Sequence, residues 1–298
     1  MMLFRPMAFS VTGFKCIDWR DKTVPSGSKL THCRVVYPKV GYVEPGPRAM
    51  VGDGQCVRLL AMIHDGRSRK LPFDADEAVA HLTAKDPKLG ALIERAGPFA
   101  MRLAPAPSPF ESLLESILYQ QLHGKAAAAI HSRVRAYFGG DPTPELLLAT
   151  PDEPLRAAGV SGNKIKAFRD LAAKTLDGTV PSHAAIKKLS DAEIIERLTA
   201  VRGIGAWTVE MLLIFRLGRP DVLPVTDYGV RKGFALTFQK IPKTRALAAA
   251  DLPKADVLLR RGKKWAPFRS VASWYMWRAC DLAKGTAPAG RSVEKNAG

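Results

Sequence analysis

Residues 198–215 read LTAVRGIGAWTVEMLLIF, and the fold turns on how this stretch is divided. Ser190-Asp191-Ala192-Glu193 has the pattern that opens a helix, and the apolar period carries that helix to about Ala200. Gly203-Ile204-Gly205 then makes a tight turn. Two glycines around one aliphatic residue let the backbone reverse sharply and approach another surface closely. A second, apolar helix starts near Ala206, and Ile204 is expected to anchor the turn in the core. The first amides of that second helix have no acceptor within it; with the helix dipole behind them they form a ready anion site. Taken alone, a GxG between helices also reads as a plain helical hairpin whose glycines serve packing.

Outward from the hairpin, the chain from Phe73 onward reads as helix after helix. Asp74 with Glu77 marks one start, Ser108-Pro109-Phe110-Glu111 a second, and Thr150-Pro151-Asp152-Glu153 a third. Phe110, Leu113, Leu114, Ile117 and Leu118 fall on one helical face, while Gly139, Gly159, Gly178 and Gly218 sit where helices should stop. Roughly ten helices with short connections and no alternating strand pattern predict an all-α class. Residues 1–72 differ: scattered Gly, Pro, Ser and basic residues carry no sustained helical period. They read as a poorly ordered basic arm, with a small strand-rich subdomain or an extension upstream of the natural start as alternatives. The main domain is expected over 73–286 and a disordered tail over 287–298.

The 298 residues hold 45 Lys and Arg against 28 Asp and Glu, a formal charge of +17 that favours a polyanionic partner. Charge by itself does not separate a nucleic acid from an anionic membrane. The run Met211–Phe215 is far too short to cross a bilayer, and no amphipathic helix offers a free apolar face, so a membrane role is not expected. Cys16, Cys33, Cys56 and Cys280 are widely spaced, without a CxxC pair or a metal-ligand pattern, and read as isolated thiols.

Twenty residues beyond Trp207 stands Asp227, in LPVTDYGVRKGF (223–234), after an extended loop and just before a new helix. Its plain role is an N-cap, and a helix N-terminus also favours and aims a carboxylate. At this point the chain resembles the helix-hairpin-helix DNA glycosylases, and within them the DNA-3-methyladenine glycosylase II branch. Three stretches over residues 75–285 carry the resemblance: ILYQQLHGKAA (117–127), the hairpin through VTDYGVRK, and WAPFRSVASWYMWRA (265–279).

The resemblance implies two lobes with the active site in the cleft between them, and a role for each motif. Asp227 is the catalytic carboxylate, stabilising the positive charge that develops on the sugar as the N-glycosidic bond breaks and orienting the attacking water. Arg231 and Lys232 are neighbours expected to offset its charge or meet phosphate. Trp207, Tyr228 and Trp277 line an aromatic pocket suited to a flipped-out, cationic alkylpurine, with Met211 where a close relative has tyrosine. Read without the family, the tryptophans are core residues. Gln121 is the wedge that fills the gap left by the base, and His123 touches the opposite strand or minor groove. Gly203, Gly205 and Arg202 meet DNA phosphate. The carbonyls of Thr199, Val201 and Ile204 are matched to a monovalent cation site, sodium or potassium; no other cofactor is implied. Trp207 stands where strand-nicking relatives carry a Schiff-base lysine, and the nearest lysines, Lys187 and Lys188, lie in the preceding helix region, so no lyase activity is expected.

The expected activity is therefore excision of alkylated bases such as 3-methyladenine and 7-methylguanine from double-stranded DNA. A monomer is expected, in a bacterial cytoplasm at the nucleoid or in a eukaryotic nucleus. A glycosylase for another damaged base and a non-catalytic DNA-binding hairpin module are the alternatives.

Overall fold

The computed structural model describes residues 69–104, 108–239 and 248–285. The tail 287–298 and all but the last four residues of the expected arm lie outside these. Of those four, Arg69 pairs with Leu103 in an isolated antiparallel bridge, and Leu71 packs on the core.

Thirteen α-helices follow among the described residues: α1 (Ala75–Lys85), α2 (Pro87–Ala96), α3 (Pro109–Tyr119), α4 (Gly124–Phe138), α5 (Pro144–Ala149), α6 (Asp152–Ala157), α7 (Gly162–Leu176), α8 (His183–Ile186), α9 (Asp191–Thr199), α10 (Ala206–Leu212), α11 (Tyr228–Phe238), α12 (Ala255–Gly262) and α13 (Arg269–Ala283). The expected class is all-α, and the described residues are built accordingly. The count exceeds ten because α5, α6 and α8, with four to six residues each, are too short to print a period.

Local chemistry explains where the helices begin. The Ser108 hydroxyl accepts from Glu111 N–H with Pro109 in the first turn. Ser190 and Glu193 form a reciprocal capping box ahead of α9. The start expected at Thr150 is different in detail. Pro151 occupies the cap position of α6 without a side-chain bond, while the Thr150 hydroxyl donates back to Leu146 at the end of α5. Asp152, free of capping duty, takes Arg169 in an ion pair at 3.1 Å.

Packing sorts the helices into two groups. In one, α3 packs on α4 and α7, and α7 packs on α5 and α6. In the other, α13 lies along α11 in the broadest helix–helix contact among the described residues, and both meet α2. In sequence the α9–α10 hairpin lies between α7 of the first group and α11 of the second. Two glycines one turn apart permit the α11–α13 approach: a Cβ on Gly233 would stand 1.9 Å from the Met276 carbonyl oxygen, and one on Gly229 2.6 Å from Cδ1 of Trp277. A side chain at Gly233 would have to move the backbone of α13, and one at Gly229 would have to displace the Trp277 indole.

α10 does not end where its α-helical bonding ends. Leu213–Leu217 continues it as a π-helical turn, closed by Gly218 in the left-handed conformation. Such turns hold an extra residue and gather at functional sites. Here the turn carries Phe215 against Trp277, ring centroids 5.4 Å apart, and Arg216 onto Glu115 at 2.5 Å.

Candidate active site

Asp227 begins α11. Its own N–H donates to Pro224 at 3.0 Å, closing the turn out of the loop, and its Oδ1 accepts from Val230 N–H at 2.7 Å as an N-cap. The carboxylate then takes two further donors from distant helices. Trp277 Nε1–H on α13 donates to Oδ1 and Trp207 Nε1–H on α10 donates to Oδ2, each at 2.8 Å. The side chain is 5% exposed, yet it makes no ion pair among the described residues. Asp227 is thus a desolvated carboxylate held by three N–H donors, with its charge left for something else to neutralise. In a low-dielectric surrounding such a charge acts strongly on any cation that comes beside it.

The two tryptophans therefore do more than the sequence implied. Trp277 is buried and Trp207 half-buried, and each spends its indole N–H on orienting the carboxylate. Met211, one turn after Trp207, is buried; Tyr228 is half-buried, with the Lys232 ammonium 5.7 Å from its ring centroid. The expectation for Arg231 is corrected: its guanidinium donates to the carbonyls of Pro253 and Leu252, not to Asp227. Cys280 is buried and donates its thiol to the Gly229 carbonyl at 3.3 Å under the first turn of α11; the other three cysteines lie outside the described residues.

The hairpin forms as divided from the sequence. Ile204 is buried, Gly203 has φ of 81°, and Gly205 caps α10 in an extended conformation with its neighbours Arg202, Gly203 and Ala206 exposed. Val201 accepts from Ile204 N–H at 3.0 Å, and the Arg202 N–H is held by Asp170 Oδ2 at 2.6 Å, a brace not foreseen. The exposed Arg202 side chain and the first amides of α10 leave this corner facing solvent. Thr199 ends α9, its hydroxyl bonded back to Ile195.

The turn after α3 is strapped to the hairpin. Gln120 Nε2–H donates to the Gly203 carbonyl at 2.9 Å, and Lys164 Nζ donates to the Leu118 and Gln120 carbonyls. Between these ties, exposed Gln121 has φ of +56°, the left-handed region that costs a non-glycine residue about 1–2 kcal/mol. His123 is exposed beside it at the start of α4. Gln121, His123 and the hairpin tip thus form one connected, solvent-facing edge.

One acidic residue escaped the sequence reading. Glu210 lies one turn from Trp207 on the same face of α10, and its Oε2 is buried without a hydrogen-bond partner. Burial, with the Asp227 charge adding to it, pushes its carboxyl up to about 7. A glutamate inside a helix carries no sequence signal that separates it from a solvated one. Among the described residues no group of three His, Cys, Asp or Glu side chains is placed to hold a metal ion.

A family profile described as HhH-GPD superfamily base excision DNA repair protein matches residues 114–254. The chain is 37% identical over 215 residues to DNA-3-methyladenine glycosylase 1 of Schizosaccharomyces pombe, covering 71% of this chain and 90% of the relative. Among solved structures, a DNA-3-methyladenine glycosidase from Bacillus halodurans is similar with a TM-score of 0.61 at 36% identity, covering 73% of this chain and 94% of that one. The Schizosaccharomyces pombe 3-methyladenine DNA glycosylase in complex with abasic DNA is similar with a TM-score of 0.58 at 36% identity, covering 70% and 97%.

Proposed function

Because the chain belongs to the HhH-GPD superfamily of base excision DNA repair proteins, we propose that it excises alkylated bases from double-stranded DNA with Asp227 as its catalytic carboxylate. It is a DNA glycosylase of the alkylbase group, and DNA is its partner. The observation that carries the role of Asp227 is its buried carboxylate, fixed by Trp207, Trp277 and Val230 and paired with no cation among the described residues. As the bond from C1′ to the base lengthens, its electron pair leaves with the base and the sugar becomes positively charged. That charge is the counterpart Asp227 lacks in the resting protein, so the attraction is strongest in the transition state. Water then adds to C1′ and gives its proton to the carboxylate.

The base reaches the site by leaving the stack. Gln121 fills the vacated space and His123 meets the groove beside it, while Arg202, Gly203, Gly205 and the amides of α10 take a phosphate. The strap from Gln120 to Gly203 supports this reading, since it makes wedge and phosphate anchor one body. Trp207, Met211, Tyr228 and Trp277 border the place of the flipped base, where a cationic purine is favoured by the rings and by Asp227 together. A sodium or potassium ion fits the carbonyls of Thr199, Val201 and Ile204. The end of α9 offers neutral oxygens, and the nearby Asp170 carboxylate is already spent on Arg202 N–H and Lys174, so the donor set suits a weakly bound monovalent ion.

The protein leaves an abasic site and does not nick the strand. Trp207 occupies the position of the lyase lysine, and Lys187 and Lys188 are exposed beyond α8. It works as a monomer, at the nucleoid or in the nucleus, and among the described residues no helix is long and apolar enough to cross a membrane. The test is base release from methylated duplex DNA by wild type and Asp227→Asn, with scission followed with and without alkali. Release of methylpurines by the wild type, scission only with alkali, and an inactive variant that still binds DNA are expected. DNA binding without base release by either protein would return the hairpin to a binding module.

A further inference from the structure

Asp227 and Glu210 are two carboxyl groups in opposite environments. Every polar donor that reaches the first is an N–H already described; the buried oxygen of the second meets none. Glu210 shares the face of α10 with Trp207 and Met211, the two residues of that helix placed beside the flipped base. The neighbouring elements carry charges of their own. On α9, Asp191 faces Arg219, Glu193 accepts from Ser190 N–H and feels the charge of Arg197, and Glu196 completes the set; on the π-helical turn, Arg216 holds Glu115; on α11, Arg231 donates to main-chain carbonyls and Lys232 lies over Tyr228. Among the described residues, Asp227 alone acts on Glu210 through its charge.

A site that aims one carboxyl with three N–H donors and leaves a buried oxygen of another without one suits the division of labour of a base and an acid. The alkylpurines assigned above do not need the acid: a cationic base departs neutral when it takes the bond's electron pair. An uncharged adduct departs as an anion unless a proton arrives as the bond breaks. We propose that Glu210 is a general acid that extends this glycosylase to neutral purine adducts. The Glu210 O–H bond gives its proton to a ring nitrogen of the leaving base while the C1′–N bond breaks and its electron pair moves onto that base. Water closes on C1′ and its proton goes to Asp227, leaving Glu210 ionised until solvent reprotonates it. A carboxyl that titrates near neutrality is suited to both halves of that cycle.

The inference rests on Asp227 acting as described, and one experiment separates the two. Release of 3-methyladenine, cationic in DNA, and of ethenoadenine, uncharged, is measured from pH 5.5 to 9 for wild type and Glu210→Gln. Glutamine keeps the shape and can still donate a hydrogen bond but cannot supply the proton. The wild type is expected to release both, with the ethenoadenine rate alone falling as pH rises through about 7. Glu210→Gln is expected to reduce ethenoadenine release at least about tenfold more than 3-methyladenine release, and to lose the falling limb. Equal losses on the two bases, a falling limb that persists in the variant, or a wild type that releases only 3-methyladenine would each overturn the acid role. A wild type that releases neither overturns the Asp227 reading, and this inference with it.

Discussion

Two aspartates in this protein do nearly the same thing with opposite results. Asp86 and Asp227 are both buried, both cap a helix, and both accept an indole N–H. Asp86 sits at the start of α2 and receives Trp265 Nε1–H at 3.0 Å; Arg261 completes it with a two-pronged pair, 2.7 Å to Oδ2 and 2.6 Å to Oδ1. Burial by itself would raise the Asp86 carboxyl, but the hydrogen bonds from Arg261 and Trp265 and the Arg261 charge bring it below its ordinary value. Asp227 has a second tryptophan where Asp86 has the arginine. Indoles aim a carboxylate without cancelling it. On the reading proposed above, the difference between a structural and a catalytic buried aspartate in this protein is one guanidinium.

Exchange of each aspartate for asparagine puts that comparison at risk. Asp227→Asn is expected to lower base release by about 10³-fold or more while leaving the melting temperature close to wild type, since an uncompensated buried charge is removed. Asp86→Asn is expected to do the reverse: it orphans Arg261, costs about 3–5 kcal/mol measured by denaturant titration, and spares the specific activity of the folded fraction. The Asp86 pair also has a pH signature. Its pKa is lower folded than unfolded, so its stabilisation is complete above about 4 and drains away as pH falls through the folded value. Loss of both stability and activity in equal measure from both variants would mean the two sites are not different in kind.

A methyl group sharpens the contrast further. Gly229→Ala leaves every donor and acceptor in place, but its Cβ would press on Trp277, so base release should fall about 10²-fold through misplacement of the carboxylate. Single-turnover kinetics on methylated duplex checks it. The smallest expected effect concerns Glu210, whose folded pKa is raised, unlike that of Asp86. The protein therefore loses stability as pH rises from about 4.5 to about 7, and Glu210→Gln should melt higher than wild type at pH 8 by about 2–4 °C and equal it at pH 4. Scanning calorimetry at the two pH values decides this.

What the sequence disclosed follows from how far each interaction reaches along the chain. Ser108, Ser190 and Asp227 announce themselves as caps because their partners stand three residues away. The hairpin was legible for the same reason, and its family match carried Trp207 and Trp277 to the site. Their role as donors to Asp227 was not legible, for they come from helices that meet only in three dimensions. Asp86 with Arg261 was hidden by a separation of 175 residues. Thr150 misled because Ser and Thr bond backward to a preceding turn as readily as forward to a following one. Glu210 and the π-helical turn leave the apolar pattern of 206–217 unaltered, so periodicity could not find them.

Gly229 and Gly233 also govern how this protein can diverge. Most substitutions near a reaction centre trade one functional group for another, and selection can grade the result. Here the requirement is for empty space: the carbonyl of Met276 and the indole of Trp277 occupy the volumes where two Cβ atoms would be. No graded series of side chains approaches that condition, because the smallest step away from glycine already incurs the full collision. A lineage altering its lesion range should therefore vary Met211, Tyr228 and Glu210 while α11 and α13 remain locked at the same spacing. Selection for new substrates in a saturated library of α10, α11 and α13 would return those two glycines untouched.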